Sequence, residues 1–287
     1  MTRGSIVWPT DLNTSMPSQA DKAAAFRELH ARSTAFIIPN PWDAGSARIL
    51  EHMGFEALAT TSVGYAYSIA RRDHKVTRDE MIAHAAAMCS ATSVPVSADL
   101  ENGFGDDVDT VAETIRMAAG AGLAGCSIED STNRAGDPIY EFGHAVDRIR
   151  AAVSAARALS FPFTLTARAE NFLHGRPDLA ETIARLQAYQ EAGADVLYAP
   201  GLSKIDDVAT LVRSVDRPVN VLAGMQGVRF TMAELSAAGV RRVSVGGALS
   251  RVALAAMIRA GREMREHGSF TFVDEPITSR EIGAMLD

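Results

Sequence analysis

Four side chains have types and spacing that can do chemistry together: Asp99, Glu101, Glu129 and Arg168. Asp99 and Glu101 close the run PVSADLE, Glu129 closes GCSIE, and Arg168 closes FTLTAR. If the runs are neighbouring strands, the three carboxylates converge on one small site. Carboxylates crowded in this way need a cation or protons to offset their repulsion. A hard oxygen donor set with no His or Cys nearby suits Mg²⁺, with Mn²⁺ as the alternative, rather than zinc. On the next strand, Arg168 is placed to hold a substrate carboxylate or a developing oxyanion through two parallel hydrogen bonds. Gly103 and Gly105 let the backbone bend closely around a ligand. Acidic residues that follow strands also cap helices and form turns, and Asp43 and Asp130 are read in that role. Asp73, further along the second loop, is open between the two roles. Glu170 is either catalytic or the partner of Arg168. His174 is assigned to a surface loop, and His30, His52, His74, His84, His144 and His267 to structural positions.

These residues need a scaffold, and the chain repeats one. Glycines precede the runs FEALATTS, LAGCSIED, ADVLYAP and VRRVSVGG at Gly54, Gly122, Gly193 and Gly239, where a left-handed residue ends a helix. Prolines open three more runs, at Pro95, Pro162 and Pro218; proline cannot continue a helix and is tolerated at the first residue of a strand. With FIIPN after Ala35 the runs number eight. They are rich in Val, Ile, Leu and Ala without clean alternation, as strands buried on both faces are. Between them lie amphipathic stretches with readable starts. Thr77 with Glu80 and Thr231 with Glu234 form capping boxes, and Asp178 with Glu181 is a close relative. Alternating strands and helices imply parallel pairing, and eight units imply a closed (β/α)₈ TIM barrel over an open doubly wound sheet. Such a barrel carries its chemistry at the C-terminal strand ends. No linker divides residues 1–287, so one domain is expected, with 1–17 an irregular arm and 268–287 an extension holding a short helix over Ser279–Met285.

The bulk properties narrow the function classes. With 47% hydrophobic residues the chain can bury a large core, and its net charge of −7 argues against nucleic-acid binding. Cys89 and Cys126 have no metal spacing and read as buried small hydrophobes. No signal peptide or membrane span is evident, so a cytoplasmic protein is expected.

At these residues the chain resembles the isocitrate lyase/phosphoenolpyruvate mutase superfamily. The matching stretches are PNPWDAGSARILEHMGF, TTSVGYAYS, PVSADLENGFG, GCSIEDS, TARAEN, YQEAGADVLYAPG, PVNVL and ELSAAGVRRVSVGGAL, in family order. The resemblance implies a barrel whose last helix is exchanged between subunits of a homo-oligomer, a dimer or tetramer. It implies Mg²⁺ held, partly through water, at Asp99, Glu101 and Glu129, with Asp73 in an outer position or on a mobile loop. Thr61, Ser62, Val63 and Gly64, followed by Tyr65, are similar to the segment that binds the α-oxo-carboxylate, and Arg168 to the arginine that stabilises the substrate oxygen. Catalysis then falls to Arg168, Glu129 and Asp73, and substrate binding to the 61–65 segment, Gly103, Asn220 and Arg168.

Two departures bear on the reaction. The Lys-(Lys/Arg)-Cys-Gly-His loop of the lyases for isocitrate and its relatives is replaced by the segment from Ser131 to Tyr140, so no cysteine is available there as an acid. Glu101 stands where many members carry Asp. The expected activity is Mg²⁺-dependent cleavage of a C–C bond in a small 2-oxo or 2-hydroxy (di)carboxylate through an enolate-like intermediate, oxaloacetate decarboxylation being one candidate. The alternatives are phosphonopyruvate hydrolysis or mutation at a P–C bond, a non-catalytic 2-oxo acid binder, and a phosphate ligand at Gly246-Gly247.

Overall fold

The computed structural model describes residues 16–274 and 277–286. In chain order the elements are α1 (Gln19–Ala31), β1 (Phe36–Ile38), α2 (Ala44–His52), β2 (Leu58–Ala59), α3 (Ser62–Ser68), α4 (Arg78–Ala91), β3 (Val96–Asp99), α5 (Val108–Gly120) and β4 (Gly125–Glu129). They continue with α6 (Phe142–Arg157), β5 (Thr164–Arg168), α7 (Leu179–Glu191), β6 (Val196–Tyr198), α8 (Ile205–Arg213), β7 (Val219–Leu222), α9 (Met232–Ala237), β8 (Arg242–Ser244), α10 (Ala248–His267) and α11 (Ser279–Leu286). All eight expected runs are strands, paired in parallel in the order β1-β8-β7-β6-β5-β4-β3-β2.

The remaining seam, between β1 and β2, is closed by few bonds. The Ala59 amide donates to the Pro39 carbonyl at 3.0 Å. Buried Asn40 does the rest. Its Nδ2 donates to the Thr60 carbonyl at 3.0 Å, and its Oδ1 accepts the Val245 and Gly246 amides, each at 2.9 Å. One amide thus ties the ends of β1, β2 and β8 together. It also occupies the Gly246 amide, one of those that a phosphate at Gly246-Gly247 would need.

The local signals act as read. Gly54, Gly122, Gly193 and Gly239 have φ between 88° and 104°, the left-handed conformation that ends a helix without a Cβ clash. Both capping boxes form. Asp178 accepts the Glu181 amide, but Glu181 turns to Arg185 instead of completing a box. Asp43 is the N-cap of α2, taking the Ser46 amide at 2.7 Å.

Most of the expected arm lies outside the described residues. Helix α1, which follows it, covers the N-terminal end of the barrel: Ala23, Phe26 and Leu29 pack against Phe36, Ile38, Ala57 and Ala124. The main core lies between barrel and helices. At the other terminus α11 packs on α2, where Arg48 Nη2 donates to the Leu286 carbonyl at 3.0 Å. By contrast α10 buries only Ser250 and exposes Val252, Met257, Ile258 and Met264. Among the described residues no helix is long and apolar enough to cross a membrane.

Candidate active site

The strands place the site through their register. Glu129 and Arg168 are paired neighbours on β4 and β5, and Asp99 pairs with Ser127 on the other side of β4. Arg168 is surrounded by acids. Its Nη1 lies 2.9 Å from Asp99 Oδ1 and 3.1 Å from Glu129 Oε2, and its Nη2 lies 2.7 Å from Glu170 Oε1. The Nε also donates to Glu170, and the guanidinium lies over the Tyr198 ring. Burial pulls Arg168 towards deprotonation, but Glu170, Glu129 and Asp99 outweigh it and hold its pKa well above the ordinary arginine value. Burial in turn pushes Glu129 well above the usual carboxylate range and raises Glu170, against the pull of Arg168. Asp99 is further fixed by Ser62, whose hydroxyl donates to Oδ2 at 2.8 Å.

A cavity of about 530 Å³ opens over these groups and descends into the barrel. Of the expected site residues, Asp73, Asp99, Glu129, Arg168, Thr61, Ser62, Val63 and Asn220 line it. Glu101 does not converge with Asp99 and Glu129 as the strand pattern predicted. It has φ 49°, and its side chain turns towards the loop after α3, where Oε2 meets His74 Nδ1 at 3.1 Å. Asp73, His74 and Glu101 present ligand atoms all within 4.8 Å of one another. His74, assigned to a structural position, is therefore part of the site. The bond to Glu101 raises the His74 pKa, and burial raises Glu101 and Asp73.

Gly64, Tyr65 and Gly103 do not line the cavity either. Gly64 sits in the first turn of α3, where a Cβ would meet Thr61 Cγ2 at 2.5 Å. The Tyr65 ring stacks on His84 at 3.8 Å. Gly103 takes φ 80° in a turn whose carbonyl accepts from Thr114. These residues shape the loops beside the cavity. His174, assigned to a surface loop, lines the cavity.

Asp130 is no cap. It is a buried hub that accepts from the Glu170 amide at 2.8 Å, Tyr189 Oη at 2.6 Å and Arg185 Nη1 at 3.2 Å. It thereby sets the backbone beneath Glu170. In the divergent loop after β4, Arg134 is paired with Asp106 at 2.7 Å and does not line the cavity.

The donor set suits a hard divalent cation. Asp73, Asp99, Glu101, Glu129 and Glu170 outnumber the cations around them, and buried Glu101 Oε1 has no hydrogen-bond partner among the described residues. An orphaned, buried carboxylate oxygen beside further acids is satisfied by Mg²⁺ or Mn²⁺. His74 adds a nitrogen that Mn²⁺ accepts more readily than Mg²⁺.

The model of the phosphoenolpyruvate phosphomutase family matches residues 26–265. The chain belongs to this family, within the isocitrate lyase/phosphoenolpyruvate mutase superfamily. A Burkholderia cenocepacia J2315 crystal structure, provisionally described as a lyase/mutase, is 60% identical, with a TM-score of 0.91 over 93% of this chain and 95% of that one. An oxaloacetate decarboxylase of Chromohalobacter salexigens is 30% identical over 87% of this chain and 88% of its own. A phosphonopyruvate hydrolase, solved with oxalate and Mg²⁺, shares the fold at a TM-score of 0.82 and 24% identity, over 92% of this chain and 94% of that one. The family membership makes this protein an enzyme, a lyase of the superfamily.

Proposed function

We propose that the protein is a Mg²⁺-dependent lyase that cleaves a C–C bond in a small 2-oxo or 2-hydroxy dicarboxylate, with oxaloacetate decarboxylation the first candidate. The observation that carries this reading is Arg168 held among Asp99, Glu129 and Glu170 at the mouth of the barrel cavity. The cation would be held by Asp73, His74 and Glu101, beside Asp99 and Glu129, and would supply Lewis-acid stabilisation of the substrate oxygen. Arg168 is rigid, desolvated and fully charged, so it stabilises the same developing negative charge without reorganising. In decarboxylation the C3–C4 bond breaks, CO₂ leaves, and the electron pair becomes the enolate of pyruvate, which then takes a proton at C3. No thiol acid is needed for that step. Neither cysteine lines the cavity, and burial raises the Cys89 thiol to about 12. The exposed apolar face of α10 supports assembly into a homo-oligomer through that helix.

The reading is tested by thermal unfolding of metal-stripped protein with oxalate, with and without Mg²⁺. Oxalate mimics the pyruvate enolate, and a ligand present at a hundred times its Kd stabilises the folded state by about 2.7 kcal/mol. A shift is expected only with both Mg²⁺ and oxalate, and not in Asp99→Ala or Arg168→Ala. A substrate panel followed by NMR then separates oxaloacetate from 2-hydroxy acids and phosphonopyruvate. No shift in the wild-type protein overturns the reading.

A further inference from the structure

Three carboxylates already share Arg168. A second arginine lines the same cavity from below. Arg242 opens β8, pairs in register with Asn220 of β7, and is 5% exposed. None of the ion pairs among the described residues includes it. Its contacts are neutral. Nε donates to Asn220 Oδ1 at 2.9 Å, and Nη1 lies 3.5 Å from His30 Nε2. His30 Nδ1 lies 2.8 Å from the Phe26 carbonyl, so Nδ1 carries the proton and Nε2 accepts. Burial pushes the His30 pKa down to about 3, with Arg242 adding to the shift, so the ring is neutral. Two of the three guanidinium nitrogens are therefore positioned by neutral acceptors, and Nη2 has no protein hydrogen bond among the described residues.

A buried cation normally has an anionic partner, because desolvation of a lone charge costs several kcal/mol. Here the guanidinium lines the cavity. Ser97, Ser127, Tyr198, Asn220 and Ser244 line the lower cavity beside Arg242, making it polar enough to receive a charged group. Among the described residues, one further arginine lines the cavity besides Arg168 and Arg242: Arg251, which is exposed, with Nη2 donating to the Gly224 carbonyl.

We infer that Arg242 anchors the second acidic group of the substrate, a carboxylate or phosphonate, inside the barrel while the 2-oxo acid end sits at Arg168. The assignment rests on the reading above and makes this enzyme selective for substrates that carry a distal acidic group over those with the 2-oxo acid end alone. Arg242 positions substrate and takes no part in bond cleavage.

The test is calorimetric titration of the full-length, Mg²⁺-loaded protein with oxalate, with 3,3-difluorooxaloacetate and with phosphonopyruvate. Oxalate reaches only the Arg168 end; the other two carry a distal carboxylate or phosphonate. Removing one partner of a buried charge pair costs about 2 kcal/mol or more, so R242M is expected to lose at least about 30-fold in affinity for a longer ligand and to keep oxalate binding. The longer ligand that shows the larger loss identifies the group. R242Q removes the charge but keeps a donor for Asn220, and tests the same point if R242M does not fold. A purely structural role through His30 would weaken oxalate and the longer ligands alike, and that result overturns the assignment. So does R242M binding as the wild type does, or R251M showing the selective loss instead. Wild-type protein that binds none of the ligands overturns the metal-site reading itself.

Discussion

His30 and His84 are buried imidazoles whose environment keeps them neutral. Burial pushes His84 down to about 4 and His30 to about 3, from an ordinary 6.5. The unfolded chain takes up a proton at each as pH falls below 6.5, and the folded chain does not. Stability is therefore full above 6.5 and is lost progressively towards about pH 4. His84 Nε2 is buried without a hydrogen bond among the described residues, while its ring stacks on Tyr65. His84→Phe keeps the stack and removes both the orphaned atom and the proton uptake. Its urea unfolding free energy is expected to equal or exceed the wild type's at pH 7. Between pH 7 and pH 5 it should fall by about 2 kcal/mol less. A decline as steep as the wild type's would show that His84 does not titrate in this way.

At the scale of elements, the active site depends on loops held from outside it. Arg148 of α6 is almost wholly buried and reaches under the β3–α5 loop, where it donates to the carbonyls of Asn102, Gly105 and Asp106. Its guanidinium lies 4.1 Å from the Tyr140 ring centroid. One side chain thus braces the loop that follows Glu101 and the end of the loop after β4. Arg148→Met fills similar volume but removes the donor to the buried Asn102 carbonyl and to the partly buried Gly105 carbonyl, while His144 remains beside that of Asp106. Supporting residues of this kind are worth roughly 10- to 100-fold in metal affinity. Titration of the variant with Mg²⁺ or Mn²⁺ is expected to show a loss in that range, with Arg168 still in place. Unchanged affinity would mean that the loop holds Glu101 without Arg148.

For the whole molecule, the open question is what covers α10. Val252 is 68% exposed and Met257 63%, on a helix of 20 residues in which only Ser250 is buried. A second copy of the chain is the proposed partner, and sedimentation should show a dimer or larger assembly. Val252→Glu with Met257→Lys is expected to shift it towards monomer and to lower the unfolding temperature, since subunit association stabilises each fold by mass action. A wild-type monomer at micromolar concentration would end the proposal.

What the amino-acid order determined by itself was local or repetitive. Parallel strands buried on both faces leave continuous apolar runs, so all eight were legible, as were the glycines that end helices and the capping residues whose bonds reach three positions along the chain. Asp99, Glu129 and Arg168 were legible for a related reason: a residue at the end of a barrel strand has little choice of direction. Tertiary structure alone decided the rest. His74 meets Glu101 across 27 positions, Asn40 closes a seam reaching Gly246, Asp130 gathers Arg185 and Tyr189, and Arg242 meets His30 212 positions away. No spacing rule connects such pairs. Hydrogen bonds and burial select them only once the barrel has brought the strand ends and loops together.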